Sequence, residues 1–277
     1  MDHRALRVRV FLSVLILVSL CVGTFFVAHY FLQKKTAFEL KAGCMSGGAK
    51  YDACLSDYYA KSASRNGVAI ALKELDRDIA TYPRLSADCH NIMHNIGRAG
   101  AIEFGTLGNA FSHGTRVCEN GYYHGVVEGI MRGVKLGSLS QTFVREVCAS
   151  DALVASSPFL MENCVHGMGH AFVYISNDDL PQSLLRCGDF VGDSEKSQCM
   201  TGVFMEDNQS KKMANGGTTS NDLTIHCSQL PSGQEECWLL QGVSIIAKEV
   251  PEVSLEVFCG TLKESGYRER CIRLLDK

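Results

Sequence analysis

Twelve of the thirteen cysteines fall into six close pairs, Cys44/Cys54, Cys89/Cys118, Cys148/Cys164, Cys187/Cys199, Cys227/Cys237 and Cys259/Cys271. A chain tied at those places is confined to small, locally closed units. Cys21 alone is left over, inside an apolar run. Closely spaced thiols in even number point to disulfides, and disulfides point to an oxidising compartment.

The N-terminal sequence leads to the same compartment by a separate route, because residues 10–32, VFLSVLILVSLCVGTFFVAHYFL, hold no Asp, Glu, Lys or Arg. At about 1.5 Å per residue such a helix crosses a bilayer. Arg4, Arg7 and Arg9 precede the run and Lys34 and Lys35 follow it, so charge favours a cytoplasmic N-terminus by one residue. The run is longer than a signal-peptide core, no small-x-small cleavage site stands out, and Leu20 before Cys21 does not fit a lipoprotein box. The expectation is a single-pass signal anchor. Residues 1–9 form a cytoplasmic tail, 10–32 the transmembrane helix, and 37–277 a domain in the periplasm, a lumen or the extracellular space.

A formal net charge of −3 and a pI near 6.3 leave no basic stripe for a phosphate backbone. Nucleic acid is not an expected partner. Only five prolines, abundant Leu, Ala and Val, and few alternating segments predict a mainly α fold. The second cysteines recur at 118, 164, 199, 237 and 271, heading CENGYYHGVVEG, CVHGMGHAFVY, CMTGVFMED, CWLLQGVSII and CIRLL. That spacing belongs to arrays of helix pairs, in which each unit buries its apolar face against its neighbours.

The first cysteine of a pair closes an apolar, helix-like segment, as in FVREVC and SLLRC, and short polar stretches such as GDSEKSQ follow. Each bridge is therefore expected to pin the end of one helix to the start of the next, giving disulfide-clamped helical hairpins in an α-solenoid-like array. The metal-site half covers about residues 86–175 and further repeats about 176–277. Gly121, Gly167 and Gly202 each lie three residues after a cysteine. A recurrent glycine in helices marks close backbone approach, to a neighbouring helix or to a ligand.

Histidines cluster beside the same cysteines. His90 and His94 are four apart, His166 and His170 are four apart, and His124 lies four before Glu128. On a helix that spacing puts two side chains on one face, roughly 5–6 Å apart, within reach of one ion. His90, His94, His124, Glu128, His166 and His170 are thus the candidate ligands of a divalent transition metal, iron, zinc or copper. A lone pair of this kind is more often surface or core; three pairs at matching offsets from clamp cysteines are a pattern. In the fourth unit Met205 and Glu206 stand where histidines would be, and the fifth has Gln241, so histidine is not simply a packing residue of the repeat.

Other chemistries find no footing: Cys-x2-Cys-His, His-Glu-x2-His, Gly-x-Ser-x-Gly, a Walker loop and a dinucleotide fingerprint are all missing from the sequence. Tyr122, Tyr123 and Glu103 are candidates to orient the imidazoles from outside. His113 and His226 read as surface or structural, and Trp238 as core. The expectation is a membrane-anchored metal-binding protein, with a non-haem metal-dependent enzyme of oxygen, water or redox chemistry as its sharper form. The alternative is a non-catalytic helical scaffold that binds a protein, peptide or polysaccharide.

Overall fold

The computed structural model describes residues 41–45, 51–215, 230–246, 254–262 and 265–273, with isolated positions at 19, 22–24 and 227. The expected anchor over 10–32 lies, but for four positions, outside the described residues, as does His226. Among the described residues no helix is long and apolar enough to cross a membrane. They form helices and no strand. The chain divides into two compact units, 1–58 and 59–277.

In the first unit a Cys44–Cys54 bridge joins helical residues 41–45 to the start of α1 (Tyr51–Asn66). Lys41 Nζ lies 5.8 Å from the Tyr58 ring centre.

The second unit continues with α2 (Val68–Thr81), α3 (Pro83–Phe104), α4 (Leu107–Ser112), α5 (Gly121–Met131), α6 (Gln141–Ala149), α7 (Ala152–Ala155) and α8 (Pro158–Ile175). Then follow α9 (Leu180–Cys187), α10 (Asp193–Asn215), α11 (Gln234–Ile246), α12 (Leu255–Thr261) and α13 (Ser265–Arg273). Local chemistry sets their ends. Pro83 and Pro158 occupy first-turn positions where no N–H is needed, and Ser157 accepts from Leu160 N to cap α8. Gly105, at φ 75°, stops α3 in the left-handed conformation that glycine takes without penalty. Asp151 caps α7 through Leu153 N and Val154 N, and its other oxygen accepts from Gly108 N, tying α7 to α4.

All six expected bridges are present, from Cys44–Cys54 to Cys259–Cys271. In the chain-entropy model each removes about 3 kcal/mol of denatured-state freedom. Cys148 and Cys187 lie at helix ends as expected. Cys89 does not: it sits in the second turn of the 22-residue α3, because Pro83 starts that helix well before the cysteine. Trp238 is partly buried against the cluster of Leu255, Phe258, Cys259, Leu262 and Cys271.

The long helices pack in chain order, α3 on α5, α5 on α8, α8 on α10. Glycine sets two of these contacts. A Cβ at Gly97 would stand 2.1 Å from Tyr122 O, and one at Gly125 would stand 2.1 Å from His94 O. Gly169 against Cys199 O and Gly202 against His166 O repeat both figures. The same backbone dovetail is therefore built twice, position 97 matching 169, 125 matching 202 and His94 matching His166.

A straight stack would leave α3 and α8, two helices apart, separated by roughly twice the usual 8–10 Å axial spacing. The His94 and His170 ring centres are nevertheless 4.8 Å apart, because an imidazole reaches several ångströms beyond its own helix. Side chains of α3 and α8 therefore meet beside α5, within the chain-order packing of helices expected from the repeat.

Candidate metal centre

The place where side chains of α3, α5 and α8 meet is polar where a core should be apolar. Five imidazoles meet there, two from α3, one from α5 and two from α8. Ring centres lie 4.7 Å apart for His90 and His94, 4.5 Å for His124 and His166, 5.0 Å for His166 and His170, and 5.1 Å for His124 and His170. His94, His124, His166 and His170 are buried, His170 completely, and His90 is half-buried. The i,i+4 spacing brings both members of each histidine pair to one place, and the dovetails bring the helices close enough for the pairs to meet.

Each ring is held from outside through one nitrogen. His90 Nδ1 is 3.0 Å from Cys118 O, a carbonyl that only accepts, so the ring donates there. His94 Nδ1 meets Glu128 Oε1 at 2.6 Å, and His170 Nδ1 meets Glu206 Oε2 at 2.8 Å. His124 Nε2 is 3.3 Å from Asn163 Oδ1. His166 hydrogen-bonds to the Gln198 backbone.

The inner nitrogens are a different matter, for His124 Nδ1, His166 Nε2 and His170 Nε2 are buried with no hydrogen-bond partner. A buried, unpaired polar atom costs about 1–3 kcal/mol and calls for an explanation. The other two, His90 Nε2 and His94 Nε2, face each other at 3.0 Å.

One ligand atom each from His90, His94, His124 and His170 lie within 4.8 Å of one another. Around a common tetrahedral ion at about 2.0–2.1 Å, nitrogens stand roughly 3.4 Å apart, so the widest pair of the group has to close by up to about 1.4 Å. The buried His/Glu cluster could hold a metal. His94, Glu128, His170 and Glu206 form a second such group. There the closest atoms are already joined by the hydrogen bonds to Nδ1 described above.

Glu128 Oε1 hydrogen-bonds to His94 and lies 4.0 Å from His170 Nδ1, and its Oε2 accepts from Arg98 Nη1. Arg98 Nη2 also donates to Asn95 Oδ1 at 2.7 Å. Burial pushes the Glu128 carboxyl up, but His94 and Arg98 outweigh it and hold it well below the carboxylate range. Glu206 is the reverse: burial and then the Glu128 charge push it up to about 7. Sequence reading took Glu206 as a break in the histidine pattern and missed it as a partner. Its signal was its place in a cysteine-headed unit.

Tyr122, Tyr123 and Glu103 do not orient the imidazoles. Tyr122 donates to Ala110 O, Tyr123 packs edge-on against Phe111 and Phe159, and Glu103 Oε2 accepts from Val68 N at 2.8 Å. His113 stacks on Phe104 at 4.0 Å and is exposed, a surface role as expected.

No known family model, curated protein or solved structure matches this chain. Its chemistry has to be read from the residues themselves.

Burial, followed by the neighbouring histidines, lowers His90 to about 2, and burial with His94 lowers His170 to about 3. The same causes, burial first, hold His124 and His166 well below 6.5. Their unfolded counterparts protonate near 6.5, so below that pH the unfolded state binds protons that the native state refuses. Stability falls with pH, by up to about 1.4 kcal/mol per pH unit for each such histidine. Glu206 opposes this between 7 and 4.5, because its native pKa is raised, but it is one group against four. Metal-free protein is expected to lose melting temperature steadily from pH 6.5 to 4. A flat profile would mean that the rings are solvated and the cluster is not closed.

Proposed function

We propose that the domain beyond the N-terminal apolar segment is an extracytoplasmic metal-binding module, tethered through residues 10–32, and that His90, His94, His124 and His170 hold one iron, zinc or copper ion, with His166 beside them. One observation carries this reading. One nitrogen from each of these four rings lies within 4.8 Å of the others, and His124, His166 and His170 each have one nitrogen held by a partner and the other buried with nothing to bind.

Metal-ligating histidines are held in this way, the second nitrogen fixed by a carboxylate or a carbonyl. On this reading Glu128 and Glu206 anchor His94 and His170 and are not ligands, Arg98 fixes Glu128, and Asn163 fixes His124. An all-nitrogen donor set suits zinc, copper or iron and does not suit calcium or magnesium, which take oxygen. Such an ion supplies Lewis-acid or redox chemistry at any coordination position left open. His90, the one half-buried ring, marks the side from which a small molecule approaches.

Six bridges support an oxidising compartment for the domain. Protein made in such a compartment without a polyhistidine tag, and recovered from the membrane fraction, is expected to carry about one metal ion per chain by elemental analysis. Recovery in the soluble fraction would reject the tether. Absence of metal would reject the ion and leave the scaffold reading.

A further inference from the structure

The turn leading into α5 carries three successive non-glycine residues in the left-handed region, Cys118 at φ 57°, Glu119 at φ 53° and Asn120 at φ 63°. Asparagine tolerates this conformation; for the other two it costs roughly 1–2 kcal/mol each. Strain of this kind persists only where the surroundings enforce it, and it gathers at functional sites. The Cys89–Cys118 bridge enforces it from one side. From the other side the Cys118 carbonyl is held on His90 Nδ1, and Cys89 is the residue next to His90 in α3.

Access distinguishes this bridge from the others in its unit. Cys118 is half-buried, whereas Cys89, Cys148, Cys164, Cys187, Cys199, Cys227, Cys237, Cys259 and Cys271 are all buried. Exposed or strained disulfides are the labile and regulatory ones.

We infer that Cys89–Cys118 is a redox latch on the histidine pocket: closed, it holds the Cys118 carbonyl on His90 and so keeps His90 aimed inward, and reduced, it releases the 118–120 turn and loosens His90. The inference rests on the metal reading above. The partner is a dithiol reductant. One of its thiolates attacks the accessible Cys118 sulfur, the S–S bond breaks and Cys89 leaves as a thiolate. The second thiol of the reductant then closes its own disulfide and frees Cys118. Two protons pass to the cysteines, which are reduced as the dithiol is oxidised.

The test uses the full-length protein and Zn2+ as probe, with affinity read by competition against a chromophoric chelator. A non-chelating phosphine, which carries out the same two-electron reduction with water, is added in limiting amount, and the freed thiols are alkylated and mapped. Cys89 and Cys118 are expected to be labelled before any other pair in residues 59–277, and Zn2+ affinity is expected to fall about 10–100-fold, as for loss of an outer partner of a ligand. Cys89→Ser/Cys118→Ser is expected to show the same loss, and Cys259→Ser/Cys271→Ser none.

Should the first double variant not fold, Glu119→Gly keeps the bridge and relaxes the turn, and is expected to slow its reduction up to about tenfold. An earlier label on another pair of the unit, an unchanged reduction rate in Glu119→Gly, or equal Zn2+ affinity before and after opening overturns the latch. Oxidised protein that binds no Zn2+ instead removes the metal reading itself.

Discussion

His170→Ala is expected to yield a helical protein with all six bridges and no bound metal. Its ring is fully buried and lies within 6.4 Å, centre to centre, of each of the other four imidazoles. His124 is the one other ring that meets all four of its neighbours. The loss of affinity should exceed the 10–100-fold typical of outer partners, the range expected for Glu206→Gln. His113→Ala, on the exposed stack with Phe104, should change nothing. Metal content and circular dichroism on the same samples decide the matter: metal retained at one equivalent in His170→Ala would remove that ring from the ligand set.

Gly125→Ala is the second large effect, and it works through the backbone. The new methyl would lie 2.1 Å from His94 O and 2.6 Å from His94 Cα, atoms that cannot turn aside. α3 and α5 must separate, and overpacking of this kind costs about 1–3 kcal/mol, occasionally more. His94 and His124 flank the contact on the two helices, so the variant should lose metal affinity as well as melting temperature. Gly137→Ala is the control, with nothing within 4 Å of its added carbon. Equal melting temperatures for the two variants would show that the dovetail does not set the helix spacing.

The sequence made the bridges legible because each pair is close in the chain and set off by polar residues. The histidines were legible because i,i+4 spacing is a property of one helix. The partners that aim them were not. Glu206 lies 36 residues from His170, and the Gln198 and Cys118 carbonyls belong to the backbone. Arg98 was four residues past His94 and could have been suspected, but only the fold shows that it meets Glu128 rather than solvent.

The repeat was half legible. Alignment on cysteines pairs Cys118 with Cys164, yet the glycine contacts match α3 with α8 and α5 with α10. Cys89 in the interior of α3 breaks the cysteine register, and only the spatial contacts recover the true one.

Because Gly97 and Gly125 bring α3 and α5 main chain onto main chain, and Gly169 and Gly202 do the same for α8 and α10, these two helix spacings are dictated by atoms that every sequence shares. Ligand identity is thereby uncoupled from scaffold dimensions. Exchanging one imidazole for a carboxylate or a thioether would alter which ion is preferred, while the two spacings stayed as they are. A lineage built on this chassis can change its inorganic chemistry by single substitutions, with the mould that shapes the site left untouched.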